Sequence, residues 1–320
     1  GSAIAAGMGY HLATNRVPLI YMQNSGLGNI VNPYNSLLHK NIYNIPFLLL
    51  IGWRGEPGTN DEPQHTFQGE ITLDLLDLLG INFMVIDEGS EIKNILETIE
   101  KSVSEKEQLA IVVKRNTFES DSRSFDKSSS STKRSVALKN IIEKFDNSSL
   151  FISTTGKLSR ELYEIRVNSG RDNDDFYVVG GMGHASAIAT GILHEIEDKK
   201  IVCLDGDGSI LMHMGHLSLV AKEHYKNFIH IVFNNSAHES VGGQPNNYDI
   251  LDRNKLFEAL GYKENIFIKN ISEIENYDFK NLVGPVYIEI EVENSSSKNL
   301  MRPDKPPVVN KESFVRKIHE

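Results

Sequence analysis

Two apolar runs end in residues that only one kind of sheet brings together. Ile201-Val202-Cys203-Leu204 leads through Asp205 into Gly206-Asp207-Gly208-Ser209, and Ile229-His230-Ile231-Val232-Phe233 ends in Asn234-Asn235. A strand that ends in Gly-Asp-Gly and opens into a helix sets bare backbone N–H groups beside one carboxylate, which suits a phosphate carried with a hard metal ion. If both runs are strands of one parallel sheet, Asp207 and Asn235 reach the same edge. They can then offer oxygen ligands to one Mg²⁺ whose other positions go to diphosphate oxygens and water. Gly-Asp-Gly alone is equally a tight turn. The Asn pair shifts the balance, because buried carboxamides need hydrogen-bond partners or a metal.

The rest of the chain repeats the same alternation of β-rich runs and helical periodicity, the mark of a parallel α/β sheet. In the first half the spacing predicts strands at 17–22, 47–51, 82–86 and 109–113, with helices at 71–79 and 91–104 between them. The sequence opens on a helix without a capping residue. Residues 117–135 are polar, serine-rich and without apolar periodicity, so they read as a flexible linker. A second series follows, with strands at 150–153, 176–179, 201–204, 229–233 and 286–291 and a helix with an apolar stripe at 185–196. The expected organisation is thus two parallel-sheet α/β domains, 1–116 and 136–320, on either side of the linker 117–135. The stretch 303–309 reads as extended.

Charge and cysteine content narrow the function classes. A net charge of −10 argues against a nucleic-acid partner, which needs a basic footprint. The single cysteine, Cys203, sits in an apolar run, so no disulfide framework is expected and a reducing, cytoplasmic setting follows. No apolar run reaches membrane-spanning length, and no signal peptide is visible.

Other constellations compete for the site. Val179-Gly180-Gly181-Met182-Gly183-His184-Ala185-Ser186, followed by Asp205, approximates a dinucleotide-binding fingerprint. Ser186 takes the place of the third glycine, however, and a nicotinamide site leaves the Asn pair unexplained. Asp205-Gly206-Asp207-Gly208 mimics part of a calcium loop, but His216 stands where that loop closes on a glutamate. His213 and His216 are three apart, a conceivable metal pair without a completing ligand. Lys157, Arg160 and Arg166 read as helix-surface charges.

Taken together, the residues resemble a known family. Gly206-Asp207-Gly208 with Asn234-Asn235 resembles the thiamine diphosphate motif of the decarboxylase superfamily. YMQNSGLGN at 21–29, GWRGEPG at 52–58, DEPQH at 61–65, STTGK at 153–157, GMGHA at 181–185 and NNSAHESVGGQ at 234–244 are similar to the phosphonopyruvate decarboxylase family, from Gly1 to about Pro245. The resemblance implies a pyrimidine-binding domain followed by a diphosphate-binding domain. It implies Mg²⁺ held by Asp207, Asn235 and the carbonyl of Ala237, and a diphosphate lined by Gly206, Gly208 and Ser209. The Gly180 carbonyl should accept from the cofactor's exocyclic amine, and Met182 should wedge the cofactor into its bent form.

The implied chemistry is decarboxylation of 3-phosphonopyruvate to phosphonoacetaldehyde and CO₂, a step of phosphonate biosynthesis carried largely by the cofactor. So highly anionic a substrate asks for a fixed cation. Arg54 is the candidate, with His65 and Gln68 as polar contacts or proton carriers. Sulfopyruvate is the alternative substrate. The family's activating glutamate falls immediately before Gly1 in the matching pattern, so the resemblance implies an N-terminally truncated copy, alternatively a non-catalytic cofactor-binding subunit. It also implies at least a homodimer as the assembly.

Overall fold

The computed structural model describes residues 1–119, 130–295, 297 and 299–320, with backbone only at 221 and 222. The chain divides into two compact units, Gly1–Ser122 and Arg123–Glu320. In the first, helix α1 (Ser2–Thr14) precedes strand β1 (Leu19–Gln23), α2 (Leu27–Pro33), β2 (Phe47–Gly52), α3 (Pro63–Glu70), α4 (Thr72–Leu78), β3 (Asn82–Ile86), α5 (Ile92–Ser104) and β4 (Gln108–Val113). All pairings are parallel, in the order β1-β2-β4-β3. A parallel sheet is covered on both faces, so its central strands are apolar throughout. Phe47, Leu49 and Ile51 pack with Ile4 of α1 and Leu76 of α4. Leu48 faces the other way, in a cluster reached by Ile95 and Ile99 of α5.

The second unit begins with α6 (Arg134–Glu143), β5 (Leu150–Ser153), α7 (Lys157–Asn168), β6 (Phe176–Tyr177), α8 (Ala185–Leu193), β7 (Ile201–Gly206) and α9 (Asp207–His213). It continues with α10 (Ser218–Glu223), β8 (Phe228–Asn234), α11 (Arg253–Ala259), β9 (Glu264–Ile268), α12 (Ile271–Asn276), β10 (Val286–Glu291) and α13 (Pro307–His319). Its six strands are also parallel, in the order β6-β5-β7-β8-β10-β9. Period-two alternation sorts the central strands: Val202, Leu204, Ile229 and Ile231 pack with Leu138 of α6 and Leu162 of α7. Ile201, Cys203, Phe228 and Val232 pack with Ala189 of α8 and Phe314 of α13.

The α/β class, the two parallel sheets and all nine expected strands are present, with boundaries shifted by up to a few residues. Several expectations need correction. Of the supposed linker, residues 120–129 lie outside the described residues, but 130–135 belong to the second unit. The Thr132 carbonyl accepts from the Glu293 N–H at 2.8 Å, and Arg134 opens α6. The second unit therefore starts before residue 136. Strand β9 was missed because its exposed positions dilute the apolar signal: only Ile268 is buried. The stretch 303–309 is not wholly extended, since α13 starts at Pro307, the first-turn position at which proline is tolerated. Arg166 is not a surface charge. Its guanidinium donates to buried Asp175 at 2.7 Å, and Lys317 Nζ lies 3.2 Å from the same carboxylate. Among the described residues no helix is long and apolar enough to cross a membrane.

One close approach in the first unit shapes the loop after β2. Gly55 has φ +67°, a conformation that favours glycine, and a Cβ on Gly69 would stand 1.7 Å from the Gly55 carbonyl oxygen. The obstacle is backbone and cannot rotate away. Gly69→Ala is therefore expected to cost at least the upper part of the usual overpacking range, about 1–3 kcal/mol. Chemical denaturation checks this; an unchanged midpoint would contradict the close approach.

Candidate active site

The parallel register of β7 and β8 sets Asp205 beside Val232 and Gly206 beside Phe233, so both strands deliver their polar ends to one edge. Asp207 follows as the first residue of α9 and is almost fully buried. Its Oδ1 accepts from the Gly208 N–H at 2.8 Å, and its Oδ2 accepts from Asn246 Nδ2 at 2.9 Å. Burial pushes the carboxyl above its ordinary value; the hydrogen bonds from Asn246, Gly208 and Ser236 oppose that rise, and the nearby Asp249 charge adds to it. A buried carboxylate in this state gains from a cation. The glycine N–H groups are internally engaged, Gly206 with Asp205 Oδ1 at 3.1 Å and Gly208 with Asp207. A bound diphosphate would share or replace those contacts.

The two asparagines divide their work. Asn234 Nδ2 donates to Asp249 at 2.9 Å and to buried Glu289 at 3.0 Å, while its Oδ1 accepts from the Ser236 N–H at 2.9 Å. Asn234 thus anchors the loop from behind. Asn235 turns its Oδ1 toward the Ala237 N–H at 3.1 Å and its Nδ2 toward Glu239 at 3.5 Å. A bridge between Ala237 and Pro245 closes the loop. Among the described residues the Ala237 carbonyl accepts no hydrogen bond, and neither does that of Gly180.

Facing this edge is the turn before α8. Gly181 at φ +65° and Gly183 at φ +89° bring Met182 over the Gly-Asp-Gly segment. A Cβ on Gly208 would lie 3.3 Å from both Met182 Cε and His238 Nδ1, so glycine at 208 leaves a cradle that a side chain would fill. Ser209 is buried and ties the two segments together: its Oγ accepts from the Gly183 N–H at 3.0 Å and pairs with Thr154 Oγ1 at 2.9 Å. The structure thus gathers Gly180, Met182, Gly206, Asp207, Gly208, Ser209, Asn235 and Ala237 around one strand edge.

In the first unit Arg54, His65 and Gln68 form a second group. Arg54 is not a free cation. It forks onto Asp61, with Nε to Oδ2 at 2.8 Å and a second short bond from Nη2 to Oδ1. That pairing raises the arginine and holds Asp61 well below the usual carboxylate range. Asn24 clamps the Arg54 backbone from both sides, accepting from its N–H at 3.0 Å and donating to its carbonyl at 2.8 Å. Burial, and then the Arg54 charge, push His65 below its ordinary value. His65 Nδ1 and Gln68 Oε1 are both buried without a well-aligned hydrogen bond, although Gln68 is near enough to oppose the His65 shift.

The remaining histidines resolve into ordinary packing. His216 Nε2 meets Thr190 Oγ1 at 3.2 Å, and the rings of His184 and His213 lie 4.1 Å apart. Among the described residues, Cys203, Asp205 and His230 make the one group of three His, Cys, Asp or Glu side chains whose ligand atoms lie within 4.8 Å of one another. Burial and then Asp205 push the Cys203 thiol well up, so it stays protonated and is a poor ligand. His230 instead spans Tyr262, at 2.8 Å, and Asp205, at 3.6 Å, as interior support for β7.

Asn246, Glu239, Asp61 and Asn24 were not singled out from the sequence as site-shaping residues. Three of them sit inside the quoted motif segments, but their partners lie 4 to 105 positions away and only folding pairs them.

Residues 154–290 match the C-terminal TPP-binding domain model of thiamine pyrophosphate enzymes. The chain is 33% identical to a phosphonopyruvate decarboxylase of Streptomyces viridochromogenes over 89% of its own length and 75% of the relative's. It is 32% identical to the sulfopyruvate decarboxylase subunit beta of Methanocaldococcus jannaschii, over 58% of this chain and 97% of that subunit. It also matches the alpha subunit from Methanothermobacter thermautotrophicus at 41% identity, over 26% of this chain and 47% of the subunit. On this likeness and two all-parallel sheets, the chain belongs to the thiamine diphosphate-dependent 2-oxo acid decarboxylases, in the family that includes phosphonopyruvate decarboxylase.

Proposed function

We propose that this chain binds thiamine diphosphate with Mg²⁺ and decarboxylates 3-phosphonopyruvate to phosphonoacetaldehyde and CO₂. The observation that carries the cofactor part is the oxygen set at the ends of β7 and β8: the Asp207 carboxylate, Asn235 Oδ1 and the open Ala237 carbonyl. One buried anion, one amide oxygen and one main-chain oxygen form a hard donor set, and the set fits Mg²⁺ better than a softer ion. The substrate part rests on two phosphonopyruvate decarboxylases, at 33% and 31% identity, each aligned over 89% of this chain. The sulfopyruvate decarboxylase of Methanosarcina acetivorans aligns over 76% of it.

In this reading thiamine diphosphate supplies, when bound, the nucleophilic carbon and the electron sink that let a 2-oxo acid lose CO₂. The protein's residues place it. Asp207, Asn235 and Ala237 would hold the metal, and the backbone of Gly206, Gly208 and Ser209 would take the diphosphate oxygens, with glycine at 208 keeping a side chain out of the cradle. The Gly180 carbonyl would accept a hydrogen bond from the cofactor's amine, and Met182 would pack against the cofactor from the turn above Gly208. Arg54 keeps Nη1 for a substrate oxygen while Asp61 holds Nε and Nη2. His65, lowered by burial and by the Arg54 charge, is the candidate proton carrier, with Gln68 beside it.

The metal assignment has a test with two readouts. Asp207→Asn is expected to weaken Mg²⁺-dependent thiamine diphosphate binding by more than about 100-fold in calorimetric titration, since even the partners of metal ligands contribute about 10–100-fold. The same change should leave the ligand-free chain at least as stable at neutral pH. A carboxyl whose folded value is raised contributes stability at low pH and loses it as pH rises through that value. The gain from Asn should therefore shrink on acidification, as melting with EDTA at neutral and mildly acid pH would show. Undiminished cofactor binding would refute the assignment.

Substrate choice is read by steady-state rates on phosphonopyruvate and sulfopyruvate. The expected outcome is a higher kcat/KM for the phosphonate, and a preference for sulfopyruvate would replace it as the substrate.

A further inference from the structure

Arg134 is the first residue of α6 and Lys157 the first of α7, where a positive charge opposes the helix dipole. Both converge on Glu239, four residues beyond Asn235. Arg134 Nη1 reaches Glu239 Oε2 at 3.0 Å, and Lys157 Nζ reaches Oε1 at 3.0 Å. The rest of the Arg134 fork is held by Glu161, at 2.7 Å from Nε and 3.1 Å from Nη2. Two cations and two carboxylates make a neutral quartet. Three members are nearly dry, with side-chain exposures of 9% for Arg134, 2% for Glu161 and 12% for Glu239. Burying charge in this way is weak evidence for stability, because desolvation offsets much of the attraction. The placement asks for another reason.

Asn235 supplies it. A carboxamide carries an oxygen and a nitrogen of nearly the same shape, and only the oxygen can bind a metal. The local chain offers one donor to the oxygen, the Ala237 N–H, and nothing that holds the nitrogen. A carboxylate, however, can only accept, and Glu239 Oε2 sits 3.5 Å from Asn235 Nδ2 while the Ala237 N–H donates to Oδ1 at 3.1 Å. Glu239 therefore draws the nitrogen to its own side and leaves Oδ1 facing Ala237. We propose that the Arg134–Glu239–Lys157 clamp is a positioning device that selects the oxygen-out orientation of Asn235 and so sets the affinity for Mg²⁺. This rests on Asp207, Asn235 and Ala237 being the metal's ligands. Arg134 and Lys157 act through Glu239, and none of the three is a catalytic residue. Arg134 also ties the segment entering the second unit to the metal loop, with Thr132 bonded to Glu293 just before it.

Calorimetric titration of Mg²⁺ into the thiamine diphosphate-saturated full chain tests the clamp. Glu239→Gln offers both donor and acceptor to Asn235, so the hold on its nitrogen is lost. The Mg²⁺ concentration at half-saturation should rise about 10–100-fold. Arg134→Lys keeps a charge at Glu239 and should lose less affinity than Arg134→Met. A purely structural role would lower the cofactor-free melting temperature and leave the Mg²⁺ titration of Glu239→Gln at the parent value, which would overturn the proposal. If Glu239→Gln does not fold, Lys157→Met removes one of the two cations from a half-exposed position. A smaller shift in the same direction supports the clamp, and an unchanged titration overturns it. A parent chain that binds thiamine diphosphate without needing Mg²⁺ refutes the ligand assignment instead, which separates that failure from failure of the clamp.

Discussion

The parallel pairing of β7 with β8 is the constraint on which the candidate site depends. With Gly206 beside Phe233, the next residues, Asp207 and Asn234-Asn235, leave the sheet at one edge and at one height. A slip by one residue would turn every side chain of a strand to the opposite face. The interior blocks that slip from both sides, since Leu204 and Ile231 belong to one core cluster and Cys203 and Val232 to the other. The same packing that stabilises the unit therefore aligns its polar ends. Because all six strands of this sheet are parallel, their carboxyl ends share an edge, where open α/β sheets bind ligands.

Around that edge the protein keeps charge under strict control. Asp207 is buried with only neutral donors bonded to it, and burial keeps its carboxyl raised. Glu289, also buried and raised by desolvation, is answered by Arg253, Tyr287 and Asn234. Glu239 is answered by two cations. The carboxylates that support the loop are thus matched, and the one assigned to the metal is not. A divalent ion placed there meets a single strong unmet demand, with the surrounding negative charge already neutralised. That contrast separates Asp207 from its acidic neighbours better than its position in a Gly-Asp-Gly turn does.

Most of the fold was legible because parallel strands announce themselves as continuous apolar runs. Phe47-Leu48-Leu49-Leu50-Ile51 and Ile229 to Phe233 have no competing periodicity. The errors came where that signal fails. Strand β9 buries only Ile268 at the sheet's margin, and β6 is only two residues long. Arg166 looked like a surface charge because its partner, Asp175, lies nine residues on, across a turn that spacing alone does not fold. The same limit applied at the site. Gly206, Asp207 and Asn235 stand out by residue type, whereas Asn246 and Glu239 matter through what they face.

The Arg54–Asp61 fork shows how a motif can be right about a residue and incomplete about its charge. An isolated guanidinium would attract any anion. Joined to Asp61, the pair is neutral overall, so its long-range pull is small and its remaining N–H groups select by direction instead. Asn24 and the tight Gly55–Gly69 contact fix the backbone on which this fork is mounted, and the arginine side chain remains 44% exposed beside a 13% exposed aspartate. On the proposed function, a substrate anion would accept from Nη1 in the plane that Asp61 imposes. Discrimination between phosphonate and sulfonate head groups would then follow from geometry and proton count, not from gross attraction. A phosphonate near neutral pH bears up to two charges and can carry a proton, whereas a sulfonate bears one and carries none. His65, which burial and the Arg54 charge hold below its ordinary value, would feel a second substrate charge as a pull toward protonation.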